Sequence, residues 1–260
     1  MTVQRGADPL FRAEYVKLGT DLPRLARDFG VDLEPDTCRG ALALALAMDT
    51  LDDAIDALAE PEQRATLYDA ILVDLERGDP SRFGGVLREL SQAAVRSGCL
   101  PRLCSTVRRL MEVGEELRRE TDPLRFIRLS RQEADVTVEM LFLVLGPRPD
   151  RFLSFLHSTG VVGNLADKLI DLGDDRRGGR ARVAPSLTLY LAGLGEIVRA
   201  GLQVPGLHPR PLALLSWSWG YLSFACRYLT GLEPRRREVP EFGSNGAVAC
   251  CESPPAGSGG

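Results

Sequence analysis

The chain has 260 residues, with 32 basic against 36 acidic side chains and a formal net charge of −4. That balance excludes a strongly basic nucleic-acid binder, so no nucleic-acid partner is expected. Hydrophobic residues at 44% and charged residues at 26% belong to a chain that buries a core, not to a disordered one.

Met1 to Leu10 holds Arg5 and Asp8 and no apolar run, so it reads as neither a signal nor a transit peptide; the expected compartment is cytoplasmic. Beyond it, apolar residues recur at helical spacing and β-branched alternation is missing, so the expected fold class is all-α. A first helix closes at Gly30, a second runs from Asp36 to Leu58, and a third opens at Pro61. Arg77-Gly78-Asp79-Pro80, Ser97-Gly98 and Asp122-Pro123 divide three more. A long helix is expected from Leu124 to Leu145, ended by Gly146-Pro147, and shorter ones over 149–158, 161–172, 185–200 and 209–229. Pro211 to Cys226, the longest uncharged run, falls short of the ~20 residues that span a bilayer, so no transmembrane segment is expected and at most a peripheral membrane contact.

Residues 1–232 read as one helical domain, since no Pro- or Ser-rich linker interrupts the helices. From 233 on, Arg235-Arg236-Arg237 leads into Gly, Ser and Pro, a composition expected to leave 233–260 a disordered tail carrying Cys250 and Cys251. Six cysteines without a CxxC pair, and only His157 and His208 for imidazole, argue against zinc.

The acids carry the chemistry. Asp49, Asp52, Asp53 and Asp56 stand at spacings of three and four, and Asp49, Asp53 and Asp56 share one stripe of a helix. The run before them, Ala41 to Met48, is wholly apolar, so this helix starts inside the core. The pattern returns in Asp167, Asp171 and Asp175, at i, i+4 and i+8, backed by Leu165, Leu169, Ile170 and Leu172. Like charges at i and i+4 repel by a few tenths of a kcal/mol each and Asp is a poor helix former, so a cation is the natural remedy. Hard carboxylates without neighbouring His or Cys suit Mg²⁺.

Met48-Asp-Thr-Leu-Asp-Asp53 resembles the first aspartate motif of the squalene and phytoene synthases, and Asp52-Asp53-Ala-Ile-Asp56 reads as the DDxxD box of the wider class I isoprenoid synthases. Asp167 to Asp175, followed by Arg176-Arg177-Gly-Gly-Arg180, is similar to their second motif and its basic, glycine-bearing loop. The resemblance implies a single-domain class I terpenoid-synthase-like bundle with a central cavity, in which Mg²⁺ holds the diphosphate of a prenyl substrate. It implies Asp49, Asp53, Asp171 and Asp175 as metal ligands acting in catalysis, with Asp52, Asp56 and Asp167 as further ligands. Arg176, Arg177 and Arg180 would bind the diphosphate, with Lys168 the weakest candidate because it faces away from the stripe.

Condensing members carry Arg where this chain has Leu46 and Ile170, and their Tyr-containing helix between the motifs corresponds to a segment near Leu129 to Leu145 without Tyr or Gly. Those groups are associated with a second prenyl diphosphate. The expected activity is therefore Mg²⁺-dependent ionisation of one allylic prenyl diphosphate, of the farnesyl or geranylgeranyl class, with cyclisation or another single-substrate outcome. Phe126, Phe142, Phe152, Phe155, Tyr190, Trp217, Trp219, Tyr221 and Phe224 are the aromatic candidates for stabilising a cation, each weighed against ordinary core packing. Two alternatives stand beside this: a head-to-head condensing transferase, and a non-catalytic binding or assembly protein of the same fold. Intact aspartates count against the last, because a chain without chemistry has no reason to keep their repulsion.

Overall fold

The computed structural model describes residues 10–77, 85–210, 214, 223 and 236–238. It is all-helical apart from one small ribbon. In chain order run β1 (Leu10–Arg12), α1 (Ala13–Asp28), α2 (Pro35–Asp56), α3 (Pro61–Arg77), α4 (Gly85–Arg96), α5 (Leu100–Arg119), α6 (Pro123–Leu145), α7 (Asp150–Arg177), α8 (Leu187–Gly201), the single turn α9 (Val204–Leu207) and β2 (Arg236–Glu238). The helix expected over 209–229 lies almost wholly outside the described residues, and so does the expected tail apart from β2.

Helix ends follow local chemistry. Pro occupies the first turn of α2, α5 and α6, where its missing N–H costs nothing. The Asp122 carboxylate caps α6 by accepting the Arg125 backbone N–H at 2.7 Å. The two helices expected over 149–158 and 161–172 are instead one, α7. Ser158-Thr159-Gly160 looks like a break in sequence. In the fold, Thr159 Oγ1 bonds back to the Phe155 carbonyl, and a Cβ at Gly160 would lie 2.5 Å from Val138 on α6, so this glycine serves close helix packing.

The core is built around α6, which contributes to all three of its apolar clusters. Met140, Leu143 and Val144 of α6 meet α2, α3, α4 and α5 through Leu42, Leu46, Ile71, Leu87 and Leu103. Phe126, Ile127 and Leu129 meet α7 and α8 through Val161, Leu165 and Leu189. Leu145 joins α1 and α7 through Leu22, Ala26 and Phe152. Each such side chain stabilises the fold by about 1.5–3 kcal/mol when fully buried. Helix α2 packs against α1, α4 and α6, whereas α7 packs against α6, α8 and α9, so the two acidic helices flank α6.

The expected all-α class holds, with one short ribbon beside the helices. Strand β1 pairs antiparallel with β2, with Leu10, Phe11 and Arg12 opposite Glu238, Arg237 and Arg236. No described helix is long and apolar enough to cross a membrane.

Candidate functional site: two acidic stripes and the arginines between them

The first half of α2 runs through the core, and Cys38 and Gly40 to Ala47 are all buried. Asp49, the next acid along, is therefore carried inside with 2% exposure. A carboxylate that deep costs several kcal/mol unless it is paired and hydrogen-bonded. Its partner is Arg12 on β1. The Arg12 backbone N–H donates to Asp49 Oδ2 at 2.9 Å, and its Nε lies 2.8 Å from Asp49 Oδ1. Its Nη2 donates to Asp52 Oδ2 at 2.6 Å and to Asp53 Oδ1 at 2.9 Å. Burial by itself would make the guanidinium easier to deprotonate; the bonds to Asp52 and Asp53 outweigh it and hold the pKa above the ordinary arginine range.

Tyr15, one turn into α1, lies under this guanidinium, 5.7 Å from Arg12 Cζ to its ring centroid. Burial first, then Asp52 of α2 and Asp167 of α7, raise its phenol, which stays neutral. Tyr15 thus feels carboxylates from both stripes.

On α7, Asp175 Oδ1 accepts from Arg180 Nε at 2.9 Å, and Arg180 Nη1 reaches Asp56 Oδ2 at 3.4 Å. The other oxygen of Asp56 takes Arg118 from α5. This geometry depends on the turn after α7. Gly179 adopts φ +71°, a conformation that disfavours a side chain, and the Arg180 backbone N–H returns to the Asp175 carbonyl at 2.7 Å. Asp171 has neither a hydrogen bond nor an ion pair among the described residues. Partial desolvation, then the charges of Asp175 and Asp174, raise its carboxyl above the usual range.

Lys168 lies on a different face of α7 from the aspartate stripe and turns onto α6. Its ammonium lies 3.2 Å from Glu133 on α6, which also accepts from Asn164 Nδ2 at 3.2 Å. Desolvation would lower its pKa, but Glu133 and Asp52, with a further contribution from Asp175, hold it above the ordinary lysine range. Two other acids on α6 are engaged elsewhere, Asp135 with His157 at 2.8 Å and Glu139 with Arg109 at 2.9 Å.

Of the aspartates singled out in sequence, Asp56 of α2 and Asp175 of α7 share Arg180, and Asp49 and Asp52 of α2 act together with Asp167 of α7 on Tyr15. They do not form a ready-made ligand cage: among the described residues no group of three or more His, Cys, Asp or Glu is arranged to hold a metal ion. Of the three arginines expected at the diphosphate, only Arg180 reaches between the stripes. Arg177 is turned outward onto Asp174, and Arg176 lines a shallow hollow with Gly173, Arg177 and Pro185. A second hollow, of about 350 Å³, is lined by Phe142, Asp150, His157 and Gln203 among others. Neither hollow is the central cavity that the resemblance implies. Phe126, Phe152 and Phe155 are buried in the core, the latter two packed at a tilt against Phe29, while Trp217, Trp219, Tyr221 and Phe224 lie outside the described residues.

Arg12, Tyr15 and Arg118 escaped the sequence reading. Arg12 sits 37 residues before Asp49, and Arg118 62 residues after Asp56, distances at which no local pattern links them. These arginines also remove the argument that retained aspartates must signal chemistry, since the repulsion along α2 is already offset by protein cations. The donor set still fits a hard divalent cation in kind: all carboxylate, with Asp171 unpaired and its charged form disfavoured by its neighbours. No family model matches this chain, and no curated protein or solved structure matches it.

Proposed function

We propose that the acidic stripes of α2 and α7 form the active site of a Mg²⁺-dependent class I isoprenoid synthase that ionises an allylic prenyl diphosphate, with cyclisation or another single-substrate outcome. One observation carries this reading: Arg180 joins Asp56 of the first stripe to Asp175 of the second, so acids from distant parts of the chain share one cation. Asp49, Asp53, Asp171 and Asp175 would hold the metal, with Asp52, Asp56 and Asp167 beside them. Bound Mg²⁺ supplies charge neutralisation of the departing diphosphate.

The chain's own groups supply the rest. Arg180 and Arg118 present fixed guanidinium donors at the junction of the stripes, suited to planar recognition of phosphate oxygens. Lys168 adds a point charge that stays protonated. Tyr15 keeps its proton and offers a neutral hydroxyl between the two stripes. Incubating the protein and Mg²⁺ with geranyl, farnesyl and geranylgeranyl diphosphates, and measuring diphosphate release and extractable product, tests the reading; no release at any chain length overturns it.

A second reading, a non-catalytic assembly or binding protein, draws on the Arg12 contacts. Three aspartates held by one arginine form a salt-bridge lock that needs no metal. Co-purification with one defined partner, without turnover, would favour it.

A further inference from the structure

We propose that Arg12 is an intramolecular counter-ion that competes with divalent metal for the first aspartate stripe, and that the β1–β2 ribbon is the latch holding it there. The inference rests on the metal reading of the stripes given above. Arg12 engages Asp49, Asp52 and Asp53 together. A guanidinium so placed takes up the carboxylate lone pairs that a cation would need, and a second positive charge cannot enter beside it without strong repulsion. Metal at the first stripe and Arg12 in its present position are therefore mutually exclusive.

The contact is made by backbone as well as side chain. Because the Arg12 N–H itself donates to Asp49, swinging the side chain away still leaves that carboxylate held, and freeing all three aspartates requires the strand to shift. That strand belongs to a two-stranded ribbon of three residues on each side. Isolated two-stranded pairings of this size are marginal, and such elements open locally at far lower cost than core helices. The α7 stripe is held differently. Arg180 is fixed by the turn at Gly179, and Asp171 has no ion pair to displace. Of the second stripe, Asp171 has no ion pair to displace while Asp175 is held by Arg180, so opening the ribbon is what frees the first stripe for a cation.

The test is titration of MgCl₂ into the full chain without substrate, by calorimetry and by thermal melting, for wild type, Arg12→Gln, Arg237→Pro and Asp171→Asn. Arg237→Pro removes a backbone N–H from β2 and leaves Arg12 and every aspartate in place, so it tests the latch even if Arg12→Gln folds poorly. Releasing Arg12 from three aspartates, two of them partly exposed, corresponds to about tenfold tighter Mg²⁺ binding in both Arg12→Gln and Arg237→Pro. Both variants should also show a larger Mg²⁺-induced rise in melting temperature than wild type. Equal affinity in wild type, Arg12→Gln and Arg237→Pro, with binding abolished by Asp171→Asn, overturns the latch and leaves the metal reading standing. Absence of Mg²⁺ binding in every variant overturns the metal reading and the latch with it.

Discussion

Arg12 and Asp49 meet twice, through a backbone N–H at 2.9 Å and through Nε at 2.8 Å, although 37 residues separate them. Asp49 has 2% exposure, so removing the cation leaves a buried carboxylate with its desolvation uncompensated. Arg12→Ala should therefore lower stability by about 2 kcal/mol, less than the loss of a fully buried pair because the arginine is partly exposed. The denaturant midpoint in the presence of a chelator measures it, and a loss below about 0.5 kcal/mol would show that the pair is not what makes the burial of Asp49 tolerable.

Replacing Asp53 or Asp171 by Ala removes a proposed metal ligand from each stripe. Diphosphate release should fall by about 100-fold or more while helix content by circular dichroism stays unchanged. Unaltered turnover would show that neither carboxylate holds the metal.

Asp171 also makes a prediction about pH. Its carboxyl is raised above the unfolded value by partial desolvation and by Asp175 and Asp174. A group raised in the folded state favours folding most when protonated, and that advantage is lost as pH rises through the folded pKa. Asp171→Asn should therefore be slightly stabilising at pH 7, with the gain vanishing toward pH 3. Thermal melts of the variant and the parent across that range check the sign.

Glu115 on α5 behaves in the opposite way. Desolvation pushes its carboxyl up, but bonds from Arg64, at 2.5 Å and 3.0 Å, and from the Tyr68 hydroxyl at 2.8 Å prevail, and it is held below the usual range. Its contribution is present at neutral pH and is lost as pH falls through the lowered value. Glu115→Gln should destabilise the junction of α3 and α5 at pH 7 and lessen the steepness of acid unfolding. An unchanged acid midpoint would remove Glu115 from the account.

Gly179→Ala tests the turn that aims Arg180. A side chain at φ +71° costs about 1 kcal/mol. If the turn relaxes, the bonds from Arg180 to Asp175 and Asp56 should weaken. Turnover should fall more than stability does, whereas loss of stability alone would confine Gly179 to capping α7.

The helical class, most helix ends and both acidic stripes were legible because they are local: apolar period, Pro and Gly signals, and carboxylates three and four residues apart. Gly160 misled, since a glycine required by a neighbouring helix looks in sequence like one that ends a helix. The face that Lys168 takes on α7 is readable, but which helix stands opposite is not, and Glu133 of α6 is there. Arg12 was unreadable because nothing near it in the chain is acidic in a telling pattern; its meaning comes from a strand pairing with residues near the other end of the sequence.

That pairing gives the protein a timetable. Arg12 leaves the ribosome early, and its strand partner follows about 220 residues later, roughly 10 to 45 seconds at ordinary rates of synthesis. Throughout that interval the aspartates of α2 exist without the ribbon that fixes the arginine upon them. Arg12 is already made by then, so the ribbon is the last contact of this region to form and seals a pairing between segments made long before it.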